Sequence, residues 1–249
     1  LPEPLHPLAE QFAAIADVYE RGRPDYPPAV VGAIAAELGL AAGAPVLDLA
    51  AGTGKLTRAL AGQGFDLTAV EPQAPLRERL GPIDGVRVID GTAEAIPLPD
   101  GAVAAVAVAD AFHWFDQTAA LGEIRRVLRP GGGLAVLFTV PDWSGASWAE
   151  ELGTMVNDAR PEHPHFDGPP WQAAVSAAGG WSPPREIRVT TMQPTNAARM
   201  VDYCASMSFI AALSEQERAS WLARVRDLVE AGETPAELPV HVVIGLTAA

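Results

Sequence analysis

Apolar positions fall along this chain in two rhythms. Short apolar-rich runs at Pro45–Leu49, Phe65–Val70, Val86–Ile89, Val103–Ala109 and Leu134–Val140 have the length of strands, and Val103–Ala109 is nearly continuous, as for a strand covered on both faces. Between these runs the spacing changes to that of a helix. Val30, Val31, Ile34 and Leu38 follow a Pro27-Pro28 start and run up to Gly39. Helical segments are also predicted over Thr53–Ala61, Pro75–Leu80 and Thr118–Leu128. In the last of these, Leu121, Ile124, Val127 and Leu128 form one face, and Pro130-Gly131 stops the helix. An earlier helix over Phe12–Glu20 ends near Arg23-Pro24. Strand and helix alternate five times, which predicts a parallel sheet with right-handed crossovers.

The alternation stops after Pro141. Residues 142–184 carry Trp143, Trp148, Trp171 and Trp181 among many Gly and Pro, and read as short helices and loops. Arg185–Met192 is strand-like, with Ile187, Val189 and Thr191 alternating. Helical segments over 196–212 and 215–231 follow, and Val240–Leu246 closes the set as a strand returning to the sheet. The expected organisation is one α/β domain over 1–249, with a helical cap in 1–40, a core in 41–140, a lid with substrate-binding insertions in 141–239 and a final strand in 240–249.

Composition narrows the class. Of 249 residues, 49% are hydrophobic and mean hydropathy is +0.12, enough for a buried core. No apolar run approaches the roughly 18 residues of a membrane span, and no basic-then-apolar signal pattern opens the sequence. The net charge of −14 repels phosphate backbones, and Arg125-Arg126, Arg224 and Arg226 lie in helical patterns among acids, so nucleic acid is not the expected partner. The single Cys204 cannot form an internal disulfide; an apolar filler in a reducing cytoplasm is expected.

The chemistry starts at Val46–Thr57, where an apolar run ends in Asp48, passes Gly52 and Gly54, and opens into an amphipathic segment. Such a strand–turn–helix corner binds nucleotides in α/β sheets. Glu71 comes 23 residues after Asp48, where a second strand should end. A dinucleotide fingerprint needs a third glycine where Thr57 stands, and Asp48 would repel a pyrophosphate laid over the turn. A nicotinamide oxidoreductase is therefore disfavoured. A ligand with an amine and a sulfonium and no phosphate favours the acid, and S-adenosylmethionine fits that description.

Over about residues 12–140 these motifs resemble the class I S-adenosylmethionine-dependent methyltransferases. Asp48–Gly54 looks like the family's first motif, with Ala50 where the first glycine usually stands; a backbone at ordinary φ would tolerate its methyl. Glu71-Pro72 resembles the ribose-binding acid, and Gly91–Leu98 the adenine-contacting loop, with Thr92 in place of the commoner Asp. Asp110-Ala111-Phe112-His113-Trp114-Phe115 follows the fourth strand, where the family lines its transfer site. Tyr19-x-x-x-Arg23-Pro24-x-Tyr26 resembles a cap whose Tyr and Arg approach the methionine carboxylate. The opening and the Phe-His-Trp-Phe element look most like the small-molecule branch that includes trans-aconitate methyltransferase-like enzymes. The resemblance implies a Rossmann-like, seven-stranded, mostly parallel sheet with helices on both faces and helical lids. It implies cofactor contacts from Tyr19, Arg23, Asp48, Ala50, Gly52, Thr53, Gly54, Leu56, Glu71, Pro72, Thr92, Ala93, Glu94, Asp110, Ala111 and Phe112.

His113 is the one candidate base, since an imidazole of ordinary pKa can take a proton near neutrality; between Phe112 and Trp114 it reads equally as pocket wall. Trp114 and Trp143 are the expected substrate contacts. His163, His165 and Asp167 have no third-ligand pattern, and no metal is expected. The expected activity is methyl transfer from S-adenosylmethionine, with S-adenosylhomocysteine as product, to a small organic molecule. The alternatives are the same pocket used for other chemistry such as cyclisation, or a non-catalytic cofactor-binding protein.

Overall fold

The computed structural model describes residues 6–249, apart from the side chain of Phe166; the first five residues of the expected cap lie outside the described residues. The cap consists of α1 (Pro7–Glu10), a 3-10 turn at Gln11–Ala13, α2 (Ala16–Gly22) and α3 (Pro28–Glu37). The core follows as β1 (Pro45–Leu49), α4 (Lys55–Ala61), β2 (Asp66–Val70), α5 (Ala74–Leu80), β3 (Val86–Ile89), β4 (Val103–Ala109), α6 (Gln117–Val127) and β5 (Leu128–Pro141). Next come α7 (Ala149–Ala159), α8 (Pro164–Asp167), α9 (Trp171–Ala178) and β6 (Arg185–Pro194). The chain ends with α10 (Ala197–Ala205), α11 (Ser208–Ala211), α12 (Glu215–Ala231) and β7 (Glu237–Ala248).

The seven strands form one sheet in the order β3-β2-β1-β4-β5-β7-β6. The first five run parallel, and β7 inserts antiparallel between β5 and β6. The order reverses between β1 and β4, and this switch point opens a crevice beyond the carboxyl ends of those strands, where open α/β sheets bind ligands.

The two-residue period of the strands divides their side chains between two cores. Leu47, Leu49, Val106, Val108, Leu134 and Val136 face α6 and α9, packing with Leu121, Ile124, Trp171 and Val175. Val46, Leu67, Ala105, Ala107, Ala135 and Leu137 face α3 and α4, packing with Val31, Ile34, Leu56 and Leu60. With both faces covered, the strands read as apolar runs rather than alternating ones. A third cluster, away from the sheet, joins α7, α10, α11 and α12 through Trp148, Leu152, Met200, Cys204, Ile210 and Val225. Cys204 is fully buried there, and burial pushes its thiol up to about 12.

Four departures from the sequence pattern have local causes. The first cap helix breaks at Ile15 (φ −114°, ψ 16°), and α2 starts only at Ala16. Helix α4 starts at Lys55 because Gly54 sits at φ +88°. Strand β5 starts at Leu128, and Gly131 and Gly132 form an irregularity within it: a Cβ on Gly132 would stand 2.9 Å from the Ala104 and Arg129 carbonyl oxygens. The helix expected over 196–212 splits into α10 and α11 because Met207 is extended (ψ 128°).

Candidate functional site

The site grows from the corner after β1. Ala50, Gly52 and Gly54 take φ of +59°, +56° and +88°, three left-handed residues that turn the chain sharply into α4. Ala50 thus departs from the ordinary φ expected of it. Its Cβ is held where glycine is preferred, because the flanking strand and glycine turn fix the path. Gly54 is required for space as well: a Cβ would stand 2.8 Å from Leu80 Cγ.

Two carboxylates flank this turn. Asp48, 1% exposed, accepts from Thr57 Oγ1 at 2.6 Å. Glu71, 3% exposed, accepts from the Gly52 N–H at 2.9 Å through one oxygen and from the Gln73 N–H at 3.0 Å through the other. Arg77 holds the end of β2 by donating to the Glu71 and Pro72 carbonyls, at 2.7 Å each. Burial, with help from nearby Glu71, pushes Asp48 up to about 7, and burial raises Glu71 as well. Among the described residues, neither acid forms an ion pair.

A cavity of about 800 Å³, counting its open mouth, lies over the switch point. Its floor is the turn at Ala50, Gly52 and Thr53, and it is lined by Glu71 and Pro72 after β2, Thr92, Ala93 and Glu94 after β3, and Ala111 and Trp114 after β4. A second space of about 400 Å³ adjoins it, sharing Tyr19, Ala50, Gly52, Thr53 and Asp110 and adding Arg23, Asp48 and Leu56. The expected cofactor residues are therefore brought together, with two exceptions. Gly54 lines neither space and serves the turn. Phe112, 1% exposed, is packed into the core beside Phe115 rather than at the cavity.

Asp110 lines the cavity, but its carboxylate is committed to the scaffold. One oxygen accepts from Tyr26 Oη (2.9 Å) and Thr139 Oγ1 (2.7 Å), the other from the Thr139 N–H (2.9 Å). These bonds hold the residue at φ +50°, a conformation Asp tolerates better than most side chains.

His113 lines neither space. Its ring sits 4.7 Å from Trp114, 4.8 Å from His165 and 5.8 Å from His163, and its buried Nδ1 has no partner among the described residues. Burial, neighbouring His165 and His163, and the Arg23 charge push it down to about 2. The ring is packed against Trp114 and two histidines outside both spaces, and its burial favours the neutral imidazole. Trp143 is also displaced. It packs edge-on against Tyr203 at 5.5 Å and lines a separate cleft with Pro141 and Met200, away from the main cavity.

Residues that sequence reasoning missed join Trp114 in the roof. Ala9 and Phe12 close the cavity from the cap, and Gln73 Nε2 ties the roof to the floor by donating to the Ala9 carbonyl at 3.1 Å. Thr53 Oγ1 donates to Glu20 at 2.6 Å, and Glu20 also pairs with Arg58. Trp114 is the hub, with His6 at 5.2 Å, Phe12 at 6.0 Å and His163 at 4.8 Å. His6 Nδ1 accepts from the Leu8 N–H at the start of α1, and His163 Nδ1 accepts from the His165 N–H at the start of α8. The acceptor role of its Nδ1 puts the His163 proton on Nε2, 3.1 Å from Ser208 Oγ. Among the described residues, no group of three or more His, Cys, Asp or Glu is arranged to hold a metal, and no helix is long and apolar enough to cross a membrane.

Comparison with known proteins agrees with this geometry. Residues 47–136 match the methyltransferase domain family. The chain is 36% identical over 223 residues to an uncharacterized methyltransferase of Mycobacterium tuberculosis, covering 89% of this chain and 86% of that protein. Among solved structures, a protein assigned as a type II methyltransferase from Anaeromyxobacter dehalogenans superposes with a TM-score of 0.62 at 25% identity, covering 91% of this chain and 96% of the other. The fold is also shared with phosphoethanolamine N-methyltransferase 2 of Haemonchus contortus, solved with phosphomonomethylethanolamine and S-adenosylhomocysteine. That match has a TM-score of 0.54 at 13% identity and covers 96% of this chain and 57% of the other.

Proposed function

The chain belongs to the class I methyltransferase family, and on that premise we propose that it transfers a methyl group from S-adenosylmethionine to a small organic acceptor. One observation carries the reading. Asp48 and Glu71 are buried carboxylates at adjacent strand ends, flanking a glycine turn, and among the described residues neither forms an ion pair. Buried acids without a counter-charge are costly unless a ligand supplies one. An amine beside a sulfonium suits Asp48 and hydroxyl donors suit Glu71; a pyrophosphate suits neither.

S-adenosylmethionine, when bound, supplies a methyl group on positively charged sulfur, open to in-line displacement. The residues of this chain bind, orient and exclude water. Asp48 faces the cationic amino-acid end in the smaller space, beside Arg23. Glu71 keeps lone pairs for ribose hydroxyls after accepting from Gly52 and Gln73. Thr92–Glu94 form the wall for the base. Phe12 and Trp114 line the space for the reacting centre, and alignment there supplies the rate without a covalent enzyme intermediate. The concave cavity and the net charge of −14 favour a small molecule over a nucleic acid.

Calorimetric titration tests the reading. S-adenosylmethionine is expected to bind and NAD not to; NAD binding without S-adenosylmethionine binding overturns it. Glu71→Ala is expected to weaken S-adenosylmethionine about 100-fold, the loss of two hydrogen bonds to a charged group at roughly 1.5 kcal/mol each.

A further inference from the structure

Arg23 is held in an unusual way for a cation at the edge of a cavity. Its guanidinium lies 5.3 Å from the Tyr19 ring and 5.0 Å from the Tyr203 ring. Its Nε donates to Ser206 Oγ at 2.8 Å, and its Nη2 to the Ser206 carbonyl at 3.3 Å. Among the described residues no carboxylate lies within ion-pair reach, and Nη1 has no hydrogen-bond partner. Tyr203 and Ser206 belong to the lid, about 180 residues away in sequence, where no motif marks them.

The lid side of this contact is fixed in turn. Ser206 is fully buried, and its hydroxyl is used twice: it accepts from Arg23 and donates to the Tyr203 carbonyl at 2.6 Å. Helices α2 and α10 approach so closely that a Cβ on Gly22 would stand 2.5 Å from the Asp202 backbone. Arg21 makes a two-pronged contact with Asp202, at 2.8 and 3.1 Å, on the outer side of the same crossing. A guanidinium lying over two rings and hydrogen-bonded to Ser206 has lost rotamer freedom before any ligand arrives.

We propose that Tyr203 and Ser206 are positioning residues: they set the Arg23 guanidinium to receive the carboxylate of the cofactor's amino-acid end, so that the lid tunes cofactor recognition. The proposal rests on the reading of the cavity as an S-adenosylmethionine site. It implies that loss of the clamp costs affinity only through the carboxylate.

The test compares S-adenosylmethionine with decarboxylated S-adenosylmethionine, which keeps the sulfonium, amine and adenosine. Titration gives the ratio of their dissociation constants for each variant of the full chain. Wild type is expected to prefer the carboxylate-bearing ligand by about 30-fold or more, and Arg23→Met to abolish the preference. Ser206→Ala and Tyr203→Leu should each cut it at least fivefold while binding the decarboxylated ligand within about twofold of wild type. That retained binding also reports an intact fold. Tyr203→Phe, which keeps the ring, should restore the preference. If Arg23→Met abolishes the preference and the two lid variants keep it, the clamp is overturned and the cofactor reading stands. If Arg23→Met keeps it, the proposal fails at Arg23 itself. If wild type binds neither ligand, the cofactor reading fails.

Discussion

Floor and roof of the cavity bury ionisable groups of opposite kind. Flanking the turn of the floor, Asp48 and Glu71 are acids that burial pushes up, Asp48 to about 7. Around Trp114, His113 and His163 are imidazoles pushed down to about 2 and about 4 by burial and by neighbouring histidines, and His165 is lowered too. The floor therefore takes up a proton more readily than an unfolded chain does, and the roof less readily. Linkage gives the two regions opposite responses to acid. Asp48 favours the ligand-free fold below its unfolded value of 3.8, and that contribution fades as pH rises through about 7. The roof histidines oppose folding once pH falls below the unfolded value of 6.5.

Asp48→Asn is the strongest way to break that contrast. It removes the charge that a cationic ligand needs and the burial penalty that the empty protein bears. S-adenosylmethionine is expected to bind roughly 30-fold more weakly, about 2 kcal/mol. The ligand-free protein should gain on the order of 1–3 kcal/mol at pH 8, and less near pH 5, where Asp48 is already protonated. Calorimetry and urea unfolding at both pH values check this. Undiminished binding would mean that Asp48 does not face the positive end of the ligand.

Acid should act next most strongly, on the roof. Both α1 and α8 are capped by an imidazole Nδ1 acting as acceptor, and both pack on Trp114. Protonating His163 removes the acceptor at the start of α8 and places a cation near His113, His165 and Arg160, with Asp167 the nearby counter-charge. Between pH 6.5 and about 4 the unfolded chain binds a proton that the folded roof refuses, so local stability falls as pH falls. Hydrogen exchange over residues 160–168 should accelerate about tenfold from pH 7 to pH 5 beyond the intrinsic pH effect, while β1 and β4 stay protected. His163→Asn, which can cap α8 without titrating, should remove most of that change. Equal acceleration in both proteins would locate the acid response elsewhere.

The same division governs what the sequence disclosed. Asp48, Gly52, Thr53, Glu71 and the 92–94 loop are legible because each stands within a few residues of a strand end, where periodicity breaks and side-chain chemistry is exposed. The strands themselves were legible because both faces are covered, and β1, β3 and β4 run as the pattern predicts. The roof was not. Ser206 and Tyr203 reach Arg23 only through the crossing of α2 and α10, and no local spacing signals a contact across about 180 residues. Trp143 looked like a pocket residue because aromatics cluster in 142–184, yet tertiary packing sent it to Tyr203. Phe112 and His113 sit at the right strand end, but the 3-10 turn over Phe112–Trp114 sends Phe112 into the core and leaves Trp114 to line the cavity.

The smallest effect is expected at Ala50, where the floor holds strain instead of charge. At φ +59° an alanine Cβ crowds the following carbonyl, at a cost of roughly 1–2 kcal/mol that glycine avoids. Glycine also loses more conformational freedom on folding, which returns about 0.5–1 kcal/mol of that gain. Ala50→Gly is therefore expected to stabilise the protein by about 0.5–1 kcal/mol, read as a higher urea midpoint at unchanged slope. Ala51 is the internal control, since it shares the loop but does not take a positive φ. Glycine there carries only the entropic loss, so Ala51→Gly should destabilise by about 0.5–1 kcal/mol. Opposite signs at neighbouring alanines would assign the effect to the left-handed turn. Destabilisation at both would mean that the turn relaxes to accept Ala50 and that the floor stores no strain there.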